Sequence, residues 1–295
     1  MELSSVEHLT SKPLPWKETL IIPIGDIQLQ ANRDVVDLDR LKAVIEYGVE
    51  HNAWYIGMGD FVDSESPSGR SSLRAAGFYD SVHDGLDLIA EQIEDELMSI
   101  LKPTKNRWLG ILEGHHFHIH SDGTTSDQHF AKFLEAPFLG TSAMINLSFQ
   151  PDNNSAAKPS VVIWAHHGRA GGKLLSTPLN QLEHVVKAFE SDIYLIGHHH
   201  RSVAGKLSRL YPMFNQRHSW LKAKDIIIAC TGSFLKGYME GSQAEGRAAG
   251  LYPEKAMMNP LALGAIKLWI RPTYKRLLGK RRKGGMPTIE INVEV

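Results

Sequence analysis

Cysteine is almost missing: Cys230 is the only one in 295 residues. That excludes an intrachain disulfide and a zinc site built from thiolates. Its place directly after the apolar residues 226–229 reads as core. A surplus of charge is missing too. Lys plus Arg number 32 against 33 Asp plus Glu, so no overall imbalance draws nucleic acid or a membrane from a distance, and any such attraction has to be local. Residues 1–17 are polar, with neither an apolar h-region nor a run of about 18 apolar residues, which argues against secretion and membrane insertion and makes the cytoplasm the expected compartment. No internal repeat is visible.

What is present is enough apolar material for a core, 42% hydrophobic against 22% charged, in one large unit or two small ones. Residues 1–295 are read as a single domain. Fifteen histidines are the compositional oddity. Ten of them fall in three segments, residues 115–129, 166–167 and 198–200, and that clustering asks for a chemical reason.

Short runs rich in β-branched or aliphatic residues at 19–24, 54–58, 107–112, 161–165 and 192–196 read as buried strands. Between them, Leu38, Leu41, Val44, Ile45 and Val49 have helical spacing, with Asp37 or Asp39 to cap the start. Further helices are expected over about 84–101 and 179–190. The alternation predicts an α/β architecture. Residues 64–77 carry Ser, Gly and Pro with Arg70 and Arg74 and read as a loop or small cap, reaching at most to residue 85. Residues 151–159 read as a hairpin-like excursion. Strands are expected near 261–270 and 288–295, with a basic surface segment over 271–285 between them.

Each of the five buried runs ends in a polar block: Gly25-Asp26-Ile27-Gln28, Gly59-Asp60-Phe61-Val62-Asp63, Gly114-His115-His116, His166-His167-Gly168 and Gly197-His198-His199-His200. In open α/β sheets, the edge where strands end is where ligands bind. A pair of divalent cations about 3.5–4 Å apart needs a bridging anion and several further donors. Asp and His supply both. His198 and His200 point the same way in an extended segment and can reach both cations, whereas His199 points away and reads as structural.

The blocks and their order resemble the calcineurin-like metallophosphoesterase family, whose pattern is D-x-H, G-D-x-x-D, G-N-H-D/E, a later His and G-H-x-H. The resemblance spans residues 25–200. It implies a two-sheet β-sandwich flanked by helices, with the site at one edge. It also implies two divalent metal ions, manganese first, with iron, zinc or magnesium as alternatives. Carried across, it makes Asp26 a ligand of the first metal, Asp60 the bridge, and His200 the completion of the first metal. His166 and His198 bind the second, and His116 is the catalytic, non-ligand His that donates to phosphoryl oxygens or protonates the leaving group. Asp63 supports the loop. Gln28 stands where the family has His, and His115 where it has Asn. Both keep a donor atom, which points to an altered metal preference rather than a dead site. A similar Gln occurs in the family branch with manganese-dependent ADP-ribose/CDP-alcohol diphosphatases.

Alignment of the strand end puts His166 first at the edge as the ligand and leaves His167 as a supporting or substrate contact. Arg169, Lys173 and Arg201 lie beside ligand blocks and can hold a substrate phosphate. His118 and His120, like Asp122 and His129, fit either a lining of the site or plain surface histidines. Residues 168–173 are glycine-rich and end in Lys, but their spacing fails the phosphate-loop pattern. The resemblance implies metal-assisted hydrolysis of a phosphodiester or diphosphate bond in a nucleotide or nucleic acid, for three reasons. These are the Gln28 variant, the basic segment, and a stretch over residues 232–238 similar to the tails of phage-borne members. A phosphomonoesterase or protein phosphatase is the enzymatic alternative, and a non-catalytic metal-binding scaffold is the rival from another class. No membrane partner is expected, and a homodimer is compatible with the sequence.

Overall fold

The structure, a computed structural model, describes residues 9–152, 158–169, 171–214, 218–238, 243–244, 247–248, 251–255, 257–275 and 286–295. In chain order its first half holds β1 (Leu9–Pro15), β2 (Thr19–Ile24), α1 (Leu38–Glu50), β3 (Trp54–Gly57), α2 (Pro67–Ala75), α3 (Asp80–Leu101), β4 (Trp108–Ile111) and α4 (Ser126–Leu134). The second half holds β5 (Ser142–Gln150), β6 (Ser160–His166), α5 (Thr177–Val185), β7 (Ile193–Ile196), β8 (Ser202–Phe214) and β9 (Ser219–Ser233). Then come the short pair β10 (Gln243–Ala244) and β11 (Arg247–Ala248), followed by α6 (Tyr252–Lys255), β12 (Gly264–Ala265), β13 (Lys267–Lys275) and β14 (Met286–Glu294).

Two sheets face each other, flanked by helices. The smaller runs β14-β13-β2-β3-β4, and the larger β1-β5-β6-β7-β9-β12 with β8 paired on β9. The period of two along each strand explains why both sheets are buried on both faces. Ile21, Ile56 and Leu109 of the small sheet meet Leu147, Ile163, Ala165 and Leu195 of the large one between the layers. The alternate residues Leu20, Ile22 and Tyr55 face α1, α3 and α4, through Leu41, Ile45, Leu97 and Phe130. On the far side Trp164, Tyr194, Ile228 and Cys230 pack on Leu182 of α5. Truncating a side chain such as Ile163 to Ala should cost about 2–5 kcal/mol.

Several expectations change. Residues 67–75, within the stretch read as a loop or small cap, form a helix: Ser66 caps it by accepting from the Gly69 N–H at 3.0 Å, and Pro67 opens its first turn. The next helix begins at Asp80 rather than 84, and α5 ends at Val185 rather than 190. The basic segment lies partly in β13, where Arg271 pairs with Glu18 at 2.6 Å; residues 276–285 lie outside the described residues. Among the described residues no helix is long and apolar enough to cross a membrane.

Candidate metal centre

The parallel strands β2, β3, β6 and β7 end at one edge, and the polar blocks follow them there. The backbone turns sharply to aim the side chains. Asp26, Gln28, Asp60, His198 and His200 all have φ between 48° and 64°, a region that costs a non-glycine residue about 1–2 kcal/mol. They are five of the ten non-glycine residues with positive φ among those described, so the strain is concentrated at this edge. Asp26-Ile27-Gln28 and His198-His199-His200 share one device: the outer residues turn into the site while the middle one leaves it. Ile27 enters the core, and His199 Nε2 meets Gln181 Oε1 at 3.2 Å.

Glycine lets the two small-sheet loops touch. Gly59 has φ 84°, and a Cβ there would lie 2.6 Å from the Gly114 backbone; one on Gly114 would lie 2.0 Å from Asp60 Oδ1. That approach brings the His115 and His116 N–H groups onto Asp60 Oδ1, the second at 2.8 Å. Asp26 Oδ2 accepts from the His198 N–H at 2.8 Å, across the two sheets.

The remaining oxygens have no hydrogen-bond partner. Asp26 Oδ1, Asp60 Oδ2 and His167 Nε2 are buried and make no hydrogen bond, and the three residues offer ligand atoms that lie within 4.8 Å of one another. His167 Nε2 and Asp60 Oδ2 are 3.2 Å apart, close enough for an ion pair but not aligned for a hydrogen bond. His167 Nδ1 lies 2.6 Å from the Met58 carbonyl, to which it donates, so the neutral ring presents a lone pair on Nε2. His115, His167 and His198 form a second converging set. Their rings are edge to face, and the Nδ1 atoms of His115 and His198 are 3.3 Å apart. That is roughly the spacing of two nitrogens on one tetrahedral ion with bonds of about 2.0–2.1 Å. On the other side His200 Nε2 is 3.5 Å from Asp26 Oδ1, and the Gln28 amide is 3.4 Å from His200 Nε2. The donors therefore fit two cations flanking Asp60.

The electrostatics divide the histidines by task. Burial, then the neighbouring His167, lowers His198 to about 3, and burial lowers His200 to about 4. Burial lowers His115 as well. These rings stay neutral, the state a ligand needs. His116 goes the other way: burial opposes its charge, but Asp63 Oδ1, 2.8 Å from Nδ1, raises its pKa. Burial opposes the Asp60 carboxylate and the His167 imidazolium alike. The two stabilise each other, holding Asp60 far below the carboxylate range and His167 up to about 10. Burial pushes Asp26 up to about 7. A cation would take the place of the His167 proton.

Asp26, Gln28, Asp60, His115, His116, His198 and His200 are gathered here as the sequence suggested. His166 is not, and His167 stands in its place. Trp164 and His166 share one parity on β6, and the His166 ring stacks on Trp164 at 5.6 Å with Nδ1 accepting from the Gly168 N–H at 2.7 Å. His167 continues the inward parity of Ile163 and Ala165. Arg201 is corrected too. It is 4% exposed and its guanidinium donates to the carbonyls of Gly172, Lys173 and Leu174 at 3.5, 2.5 and 3.0 Å, so it fastens a loop rather than facing a substrate. Arg169 is exposed. His118 and His120 are neither lining nor surface; they are buried among carboxylates.

Two supporting residues were given no role at the site from sequence. Asp127, in the first turn of α4, accepts from the Gly114 N–H at 2.8 Å and is pushed by burial up to about 7. A capping box at Thr125 and Gln128 signals that helix start. Arg70 of α2 donates to the carbonyls of Glu65, His115 and Phe117 at 2.7–2.9 Å, bracing the His116 loop; only its place near the loop could have hinted at this.

No family model matches the chain, and no curated protein matches it in sequence. Among solved structures, Vps29 complexed with Zn2+ from Entamoeba histolytica is similar at a TM-score of 0.36 and 10% identity, over 93% of this chain and 99% of that one. A similarity at that score decides nothing about the site, which stands on its own geometry.

Proposed function

We propose that the protein is a metallophosphoesterase of the calcineurin-like kind, using two divalent cations to hydrolyse a phosphodiester or diphosphate bond in a nucleotide or nucleic acid. The observation that carries this reading is the convergence of Asp26, Asp60 and His167, whose buried Oδ1, Oδ2 and Nε2 make no hydrogen bond, beside His116, whose pKa Asp63 raises. Buried lone pairs facing one another are costly without a cation between them.

Asp26, Gln28, Asp60 and His200 would hold one cation, and Asp60, His115, His167 and His198 the other, manganese being the first choice and iron, zinc or magnesium the alternatives. When bound, the pair supplies Lewis acidity at a phosphoryl group and a nucleophile near neutral pH. The chain's own part is positioning and proton supply. Asp60 is fixed by two backbone N–H groups, so its free oxygen is pre-aimed. His116, oriented through Nδ1 by Asp63, offers Nε2–H to a phosphoryl oxygen or to the departing alkoxide. The diester preference rests on Gln28 and the basic segment, and Arg169 is an exposed cation directly after the His167-Gly168 pair.

The test is turnover of a generic phosphodiester and a generic phosphomonoester by metal-stripped protein, with each metal restored in turn, beside His116→Ala. Metal-dependent hydrolysis that falls on the order of 10²–10⁴-fold in the variant while two ions stay bound is the expected result. Two bound ions with no turnover under any metal would replace the enzyme by a metal-binding scaffold.

A further inference from the structure

Glu94 is 2% exposed in the middle of α3, where an uncompensated carboxylate is costly. Each of its oxygens meets an imidazole: Oε1 lies 2.8 Å from His120 Nε2, and Oε2 lies 2.8 Å from His129 Nδ1. The three residues come from three segments: α3, the connection from β4 to α4, and α4 itself. The other nitrogen of His129 fixes its tautomer. Nε2 lies 2.7 Å from Thr124 Oγ1, whose own hydrogen goes to Asp122 Oδ1 at 2.6 Å. Nε2 is therefore the donor, and Nδ1 of the neutral ring carries a lone pair aimed at a carboxylate oxygen. Either a second proton on the ring or a metal ion has to stand between them.

We propose that Glu94, His120 and His129 bind a divalent transition-metal ion of the zinc class, at a site separate from the Asp26–Asp60 centre. Their donor atoms lie within 4.8 Å of one another. Two imidazoles and one carboxylate suit such an ion, with a fourth position left for water. The His129–Thr124–Asp122 chain is the outer hydrogen-bonding that orients a ligating histidine. Bonds of about 2.0–2.2 Å require the nitrogen and oxygen atoms to separate by only roughly 0.5 Å from their present contacts. Beyond His120, the His118 ring lies 4.8 Å away and is held by Asp87 at 2.6 Å, closing that flank. The ion would bolt α3 and α4 to the segment that begins with His115 and His116. None of its ligands belongs to the phosphoesterase centre, and the proposal does not rest on that reading.

The experiment uses the full chain with Asp26→Asn and His198→Ala, which disables the first centre, stripped by chelator and titrated with Co2+. Metal per chain is measured, together with the visible absorption of nitrogen- and oxygen-ligated cobalt. One retained equivalent with that absorption, and a thermal midpoint raised by Zn2+, is expected. Adding Glu94→Gln, which keeps the volume, should abolish the equivalent and the thermal shift while circular dichroism stays native. In the otherwise unaltered chain, Glu94→Gln should lower the count by one and leave phosphodiester turnover measurable. A natively folded first-centre variant that takes up no Co2+, or an unchanged count in Glu94→Gln, overturns the site and leaves protons as the cations of the cluster. Absence of turnover in the unaltered chain would overturn only the proposed function.

Discussion

The small sheet brings carboxylates to the centre, Asp26 after β2 and Asp60 after β3, whereas the large sheet brings only imidazoles, His167 after β6 and His198 and His200 after β7. The two halves meet through charge. Asp26 accepts from the His198 backbone, and Asp60 faces the His167 ring. The difference teaches how the work divides. The acidic half holds buried carboxylates, of which Asp60 is stabilised by the His167 ring, while burial keeps His198 and His200 neutral, the state in which an imidazole can ligate a cation. His115 and His116 sit on the acidic side, yet they separate in the same way, burial lowering the pKa of the one beside His198 and Asp63 raising that of the other.

Breaking the acidic half should have the largest effect. Asp60→Asn removes the charge between the two donor sets while keeping an oxygen for the His115 and His116 N–H groups. Turnover should fall on the order of 10³-fold and bound metal should drop below two per chain by elemental analysis. Full metal content with lost turnover would mean that Asp60 does not bridge.

The imidazole half gives a sharper comparison, because His166 and His167 are adjacent and chemically identical. His167→Ala should weaken metal affinity by about 100-fold or more, and His166→Ala by less than about threefold. Competition with a fluorescent chelator reads both. Equal losses would show that the direction of the β6 side chains does not decide the ligand.

Legibility from sequence followed physical range. The strands that carry the site were readable, because continuous apolar runs ending in Gly-Asp or Gly-His are local patterns. Helix α2 was not: Leu73 is the only large apolar residue in Pro67–Ala75, and Arg70 ties it to the His116 loop by long-range contacts. The hairpin of β8 and β9 was missed because its outer part is exposed and mixed in polarity, held by cross-strand pairing rather than by a buried stripe. The His166 error was avoidable in principle. Trp164 reaching the outer layer sets the parity, but its direction depends on α5, which sequence does not place. The carboxylate partners of His118, His120 and His129 arrive from α3 and, for His118, also from Glu65, all more than twenty residues away, beyond any local signal.

Acidity separates the halves again. His167 has a folded pKa of about 10 against 6.5 in the open chain, so its stabilising contribution is complete below 6.5 and is lost as pH rises through 10. Asp26 and Asp127, raised to about 7 from 3.8, act in the same direction: their contribution is present below 3.8 and lost as pH rises through 7. Metal-free protein should therefore lose stability steadily from pH 6 to 9 in thermal melts, and saturating Mn2+ should flatten the profile by replacing the His167 proton. On the acid side, His198 and His200 remain neutral well below the ordinary histidine range, so metal binding should persist to lower pH than free imidazole would allow. A metal-free profile that is flat from pH 6 to 9 would break the Asp60–His167 pairing.

Arg201 should have the smallest effect on chemistry, although it follows His200 directly. Its guanidinium lies under the segment after His167 and gathers three carbonyl oxygens there. Arg201→Ala leaves those acceptors unmatched in a buried place, which should lower stability by about 1–3 kcal/mol in denaturant titrations, with metal content unchanged and KM moved less than about threefold. A guanidinium that instead gripped substrate phosphate would give the opposite pattern, an undisturbed unfolding midpoint and a large rise in KM. Arg201→Lys sharpens the distinction. One ammonium cannot span three carbonyls, so the structural role predicts a partial loss of stability, whereas a phosphate contact would be largely preserved by the charge alone.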